Sequence, residues 1–195
     1  VPVDQAAVRR LQDHDAFELN DTAHANEHAV EIQLPLIQRT WPEASPRLVP
    51  LLVPQLTAAQ RTRAAAALKE LLDPGTLVVV SSDFTHYGAS YGYVPFTADV
   101  PAALEKLDGG AILKILAADA QGLLDYGRET GITMCGLEAT ALALESGLPE
   151  GYEGSLVHYS RSGDRDGDYS LSVSYAAILL SSGAASPDEG DPHDR

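Results

Sequence analysis

The stretch TLVVVSSDFTHYG, residues 76–88, decides the reading of the fold. Leu77, Val78, Val79 and Val80 form an unbroken apolar run, three of the four β-branched, which is the pattern of a strand buried on both faces. Upstream, Thr57 and Gln60 stand at capping-box spacing and predict a helix through Leu72, closed by Asp73-Pro74-Gly75. Before that helix, PRLVPLLV (46–53) reads as a strand broken by Pro50, and so as an edge. Strand, helix, strand at this spacing is a βαβ unit and predicts a parallel sheet. The apolar run ends in Ser81-Ser82-Asp83, with His86, Tyr87 and Gly88 close behind. An acid and an imidazole thus lie beyond the carboxyl end of the strand, where open α/β sheets place ligands.

Working outward, residues 3–14 predict a short amphipathic helix and residues 21–27 a polar loop. Residues 27–41 put Val30, Leu34, Ile37 and Trp41 on one helical face, with Pro35 expected to kink the helix. Further helices are expected at 98–107, 110–118 and 120–127, and at 136–146 after the turn-rich GITMCG. From residue 153 the pattern alternates and turns at Gly163–Gly167, which predicts a β-hairpin. Residues 1–181 read as one α/β domain, and 182–195, rich in Ser, Gly, Pro and acids, as a disordered acidic tail.

The 195 residues carry a net charge of −15 with no Lys/Arg stripe, which argues against phosphate-mediated nucleic-acid binding and against anionic membrane surfaces. No apolar run has the length of a membrane span, and no secretory leader pattern is present. A single cysteine excludes an internal disulfide and fits a reducing, cytoplasmic setting.

Several constellations can carry chemistry. Asp83 can orient the His86 imidazole, and an imidazole titrates near neutral pH, so the pair can serve as acid and base. The plain alternative is a turn in which Ser-Asp caps and His86 packs. Cys135, in TMCG, precedes a helix and reads as a metal ligand, a nucleophile or a buried core thiol. His24-Ala-Asn-Glu27-His28 matches the inverted zinc-protease pattern, which needs both imidazoles on one helical face and a third ligand. His24 falls in the expected loop, so a helix cap with Glu27 at its positive end is the competing reading. Asp164, Asp166 and Asp168 alternate in SGDRDGDYS, but lack the Gly and Glu positions of a calcium loop and read as a hairpin turn. His158 and Tyr159 sit on an expected strand, His158 as a satisfied core histidine.

Taken together, EHAVEIQLPLIQ (27–38), VVVSSDFTHYG (78–88), MCGLEA (134–139) and HYSRSGDRDGDYSLSVSYAA (158–177) resemble the Memo family, and within it the prokaryotic branch called AmmeMemoRadiSam system protein B. The resemblance implies a fold like the class III extradiol dioxygenases, with a central mixed, largely parallel sheet, helices on both faces and a C-terminal hairpin. Those enzymes hold non-haem iron on two His and a carboxylate and use a further His as acid and base. By motif, His86 matches the acid/base His, Asp83 the acid beside it and Cys135 a third metal ligand that replaces the carboxylate. A thiolate ligand softens such a site toward copper. Glu27, His28 and Tyr87 are the candidates to line a substrate pocket. In the family VPVD follows a region holding two metal-binding histidines. The chain starts at Val1 rather than Met, so it is expected to be truncated there and to hold iron or copper only with those histidines restored. Two functions stay open: a metal-dependent redox enzyme, or a scaffold partnering an AMMECR-type and a radical-SAM protein.

Overall fold

The computed structural model describes residues 1–44, 46–148 and 151–182. These residues form seven α-helices and three strands. The helices are α1 (Gln5–Gln12), α2 (Asp21–Ala25), α3 (Leu34–Thr40), α4 (Ala58–Lys69), α5 (Val100–Leu116), α6 (Ala120–Thr130) and α7 (Leu137–Ser146). The strands are β1 (His86–Gly88), β2 (Tyr152–Arg161) and β3 (Leu171–Ser182). β3 lies in the middle of the order β1-β3-β2, and both of its neighbours run antiparallel to it.

The core forms where α5, α6 and α7 pack together and against one face of the β2–β3 hairpin. Ala111, Leu123 and Ala141 from the three helices are fully buried there, with Phe84 and Met134 beside them and Tyr159, Ala176 and Ile178 closing the sheet side. A smaller cluster joins α4 to α7 through Ala64, Ala65 and Leu142. Arg61, buried on α4, ties the same pair with its guanidinium 2.6 Å from Glu145 and 3.6 Å from Glu138. The Thr57–Gln60 capping box forms as expected and starts α4. The hairpin also forms, in register from Tyr152↔Ser182 to Arg161↔Ser174 with a bulge between Leu156 and His158.

The parallel sheet expected from residues 76–88 is not present among the described residues. Residues 76–85 belong to no strand, and Leu77 to Val80 are 38–63% exposed. An apolar run becomes a buried strand only when other backbone pairs with its edges and other layers cover its faces. Here neither is supplied among the described residues. The segment 46–53 contributes only an isolated parallel bridge, Val3↔Leu48.

Other expectations need local correction. Residues 21–27 are not all loop, because the Asn20 side chain accepts from Ala23 N at 3.0 Å and caps α2. Pro35 does not kink a helix: a 3₁₀ turn at Glu31–Gln33 precedes α3, and Pro35 occupies its first turn, where no N–H is required. The two helices expected across 98–118 are one, α5, which runs through Gly109 and Gly110. Gly110 makes room for Tyr126, whose hydroxyl donates to Leu107 O at 2.8 Å and braces α6 on α5. β3 reaches Ser182, and the rest of the expected tail, residues 183–195, lies outside the described residues. No helix among the described residues is long and apolar enough to cross a membrane.

The two adjacent glycines give a clean test. A Cβ at Gly109 meets nothing within 4 Å, so Gly109→Ala should stabilise the protein by about 0.5–1 kcal/mol through helix propensity. A Cβ at Gly110 overlaps the Tyr126 ring, so Gly110→Ala should destabilise by about 1–3 kcal/mol. Urea unfolding of the two variants should show opposite shifts of the midpoint.

Candidate functional site

The site is built on residues 81–86, where the side chains of Ser81 and Ser82 and the backbone of residues 83–86 are held by other parts of the fold. Phe84 N donates to Ser174 O at 2.8 Å, and Ser174 N donates to Thr85 O at 3.0 Å. β1 then continues the antiparallel pairing, with His86 opposite Val173. On the other side the segment meets the turn before α7. Asp83 N donates to Cys135 Sγ at 3.2 Å, and Gly136 N donates to Ser82 Oγ at 2.9 Å. A Cβ at Gly136 would overlap the Ser82 side chain, so only glycine lets the two loops approach this closely. Gln33 Nε2, just before α3, donates to Ser81 Oγ at 3.0 Å.

Thr133 fixes His86 at three points. His86 N donates to Thr133 Oγ1 at 2.8 Å, Thr133 Oγ1 donates to His86 O at 2.9 Å, and His86 Nδ1 lies 2.9 Å from Thr133 O. A carbonyl only accepts, so Nδ1 carries the proton and Nε2 is left as the atom that can gain or lose one. Nε2 lies 3.5 Å from Asp83 Oδ2, a contact that becomes an ion pair when the imidazole is protonated. The Tyr91 ring meets the imidazole edge-on at 5.1 Å. The structure therefore brings Asp83, His86 and Cys135 into one neighbourhood at the surface, with Cys135 exposed rather than buried.

Two phenols complete the surroundings. Tyr175 on β3 has its ionisation pushed up by burial first, then by the Asp83 carboxylate and Tyr91. Tyr91 and Tyr175 are both partly exposed and face the same region.

The remaining sequence candidates lie differently. Glu27 and His28 stand in the loop between α2 and the 3₁₀ turn, and His24 lies in the last turn of α2, so no single helix presents both imidazoles. Glu27 accepts from Ala29 N at 2.8 Å; that bond holds its carboxyl below the usual range. His28 is largely exposed. Tyr87 is buried, stacks on Phe96 and donates to Phe96 O at 2.6 Å, which makes it a packing residue. His158 is exposed on β2 and not a core histidine. Asp164, Asp166 and Asp168 accept from Arg161 N, Asp168 N and Ser170 N, which are turn-forming roles. Among the described residues no group of three His, Cys, Asp or Glu comes together as a set of metal ligands.

Sequence reading passed over Thr133, Tyr91, Tyr175 and the Ser82–Gly136 staple. Thr133 has a usable signal only in its place two residues before Cys135. Tyr91 follows the Ser-Ser-Asp block in a loop with no pattern, and Tyr175 reads as one more alternating hairpin residue.

An α/β scaffold that sets an Asp–His pair beside an exposed thiol is the class defined by this geometry. Comparison with known proteins assigns it further: the pattern of the Memo-like protein family matches residues 1–179. A MEMO1 family protein of Methanopyrus kandleri is 37% identical over 166 residues, covering 83% of this chain and 54% of the relative. One from Pyrococcus abyssi is 33% identical over 172 residues, covering 84% of this chain and 59% of the relative. One from Pyrococcus furiosus is 32% identical over 192 residues, covering 92% of this chain and 65% of the relative. The chain belongs to the Memo-like family. It spans little more than half the length of the first two of these relatives.

Tyr175 supplies a pH test with a definite sign. Its folded-state ionisation lies above that of an ordinary phenol, so the folded chain binds that proton more tightly than the unfolded chain. The associated stability is whole below about pH 10 and is lost as pH rises through the folded transition. In absorption titration at the phenolate band, Asp83→Asn should bring the Tyr175 transition to lower pH, with Tyr175→Phe identifying the signal. Separately, Gly136→Ala should lower stability by about 1–3 kcal/mol in denaturant unfolding, because the Ser82 loop must shift.

Proposed function

We propose that the intact protein is a metal-dependent redox enzyme of the dioxygenase-like class, with Cys135 among the ligands of a non-haem iron or copper ion. His86 is its proton acceptor and donor, and Asp83 stabilises the imidazolium. The observation that carries this reading is the orientation of His86. Nδ1 is committed to Thr133 O, which leaves Nε2 facing Asp83, and Cys135 Sγ is one hydrogen bond from Asp83 N. Family membership supports the reading. So does the chemistry of the one ligand assigned in this chain, since a thiolate suits a redox metal such as copper.

The residues present do not by themselves make a metal site, because no three ligating side chains converge among the described residues. Two further ligands are proposed to come from the part of the relatives that this chain does not span. What these residues do on their own is proton chemistry. His86 takes a proton at Nε2 from a bound substrate, and the Asp83 carboxylate at 3.5 Å offsets the new charge. In the complete protein, residues 77–80 are proposed as a strand of a central, largely parallel sheet, and the setting as cytoplasmic.

The exposure of those four apolar residues also favours a second reading, a binding protein on a dioxygenase-like scaffold that offers this segment to a partner such as an AMMECR-type or a radical-SAM protein. Anaerobic titration with Cu(I) and Fe(II) decides between the two. The enzyme reading expects affinity to fall tenfold or more in Cys135→Ala. Equal affinity with and without the thiol contradicts it, as does absence of binding by the longest natural form of the protein.

A further inference from the structure

We propose that Asp108, in the middle of α5, is a positioning residue for the Asp83–His86 pair and acts through Thr85; the inference deepens the acid–base reading and takes its functional meaning from it. Asp108 is fully buried, and so is Thr85. One carboxylate oxygen, Oδ1, accepts from Thr85 N at 3.2 Å and from Thr85 Oγ1 at 2.5 Å. The other, Oδ2, accepts from the Tyr159 hydroxyl on β2 at 2.6 Å. That hydroxyl also lies 3.4 Å from Ser174 Oγ, on the β3 residue that pairs with Phe84 and Thr85. Burial, and after it the bond to Asp108, pushes the Tyr159 phenol up, so it remains a donor.

The position of this carboxylate is its significance. Of the two residues between Asp83 and His86, Phe84 is anchored in the core and Thr85 is anchored on Asp108. Without Asp108, Thr85 would keep only its backbone bond to Ser174 N, and the link between Asp83, held by Cys135, and His86, held by Thr133, would lose its anchor on the helical core. No Lys, Arg or His forms an ion pair with Asp108 among the described residues. A buried carboxylate held only by neutral donors is a costly way to gain stability, and an apolar residue of similar size does that more cheaply. What it provides is acceptor capacity on both oxygens. An amide has one acceptor oxygen and would present N–H groups to either the threonine or the tyrosine. Three donors from two elements thereby meet one rigid helix, which fixes the site to the helical core.

The test reads geometry directly and needs neither metal nor substrate. Nitrogen-15 spectra of the 195-residue chain report the Asp83 amide, which donates to Cys135 Sγ, and the His86 Nδ1–H, which donates to Thr133 O. Asp108→Asn and Thr85→Val should both shift these two signals, and Thr85→Ser, which keeps the hydroxyl, should leave them in place. Ile115→Val, a core change in the same helix, should lower the unfolding temperature without moving them. If Asp108→Asn does not fold, Thr85→Val and Tyr159→Phe carry the test. Loss of stability with both signals unmoved would overturn the proposal and reduce Asp108 to a packing role. The metal titration is read on separate samples, so failure of the redox reading and failure of this one give different results.

Discussion

Four consecutive backbone amides, at residues 83–86, each find a different partner: Cys135 Sγ, Ser174 O, Asp108 Oδ1 and Thr133 Oγ1. The rest of the site follows from that constraint. An amide buried without an acceptor costs as much as a lost hydrogen bond, so each pairing selects where its partner must lie. The α7 turn is drawn in by the first, β3 by the second, α5 by the third and the loop before Cys135 by the fourth. A short stretch with no regular strand partner on its other side is thereby set by contacts from four directions.

This arrangement explains why the chemistry-bearing side chains sit together although they come from distant parts of the sequence. Asp83 and His86 are three residues apart, but Cys135 is more than fifty residues away. It reaches them because Gly136 allows the Ser82 side chain to pack against its backbone. β3 contributes more than hydrogen bonds. It carries Ser174, which pairs with the segment, and Tyr175, whose phenol responds to the Asp83 charge. Four buried polar residues, Thr85, Asp108, Ser172 and Ser174, lie on or next to this seam, while Arg61, Thr140 and Ser146 lie on α4 and α7. Polar groups in a core reduce stability unless fully paired, and concentrating them at one seam gives that seam a single geometry.

How much of this was legible in the sequence varied with the range of the interaction. The α4 cap, α7 and the hairpin were readable because their signals are local: Thr57 with Gln60, the turn before Leu137, the alternation from residue 153. The closeness of Asp83 and His86 was readable for the same reason, since they stand three residues apart and their side chains meet at 3.5 Å. The apolar run 77–80 forms no strand among the described residues, because its valines report a preference for a covered strand and cannot report whether the covering layers are present. The inverted zinc-protease pattern at His24, Glu27 and His28 needs a single helix, and α2 stops at Ala25. Asp108 was invisible. In EKLDGG it looks like a solvent-facing helix acid, and only the packing of Thr85 and Tyr159 shows that it points inward. Gly109-Gly110 looked like a break between helices because the side chain that needs the space, Tyr126, comes from α6.

Amide hydrogen exchange tests most directly the claim that residues 83–86 are pinned while the apolar run before them is not. Residues 84–86 should exchange slowly, close to the rate set by global unfolding, because each amide donates to a partner in a different element. Residues 77–80 should exchange orders of magnitude faster, since they have no ladder partner among the described residues. Equal, rapid exchange across both stretches would contradict the claim and remove the structural basis for placing Asp83, His86 and Cys135 in one site.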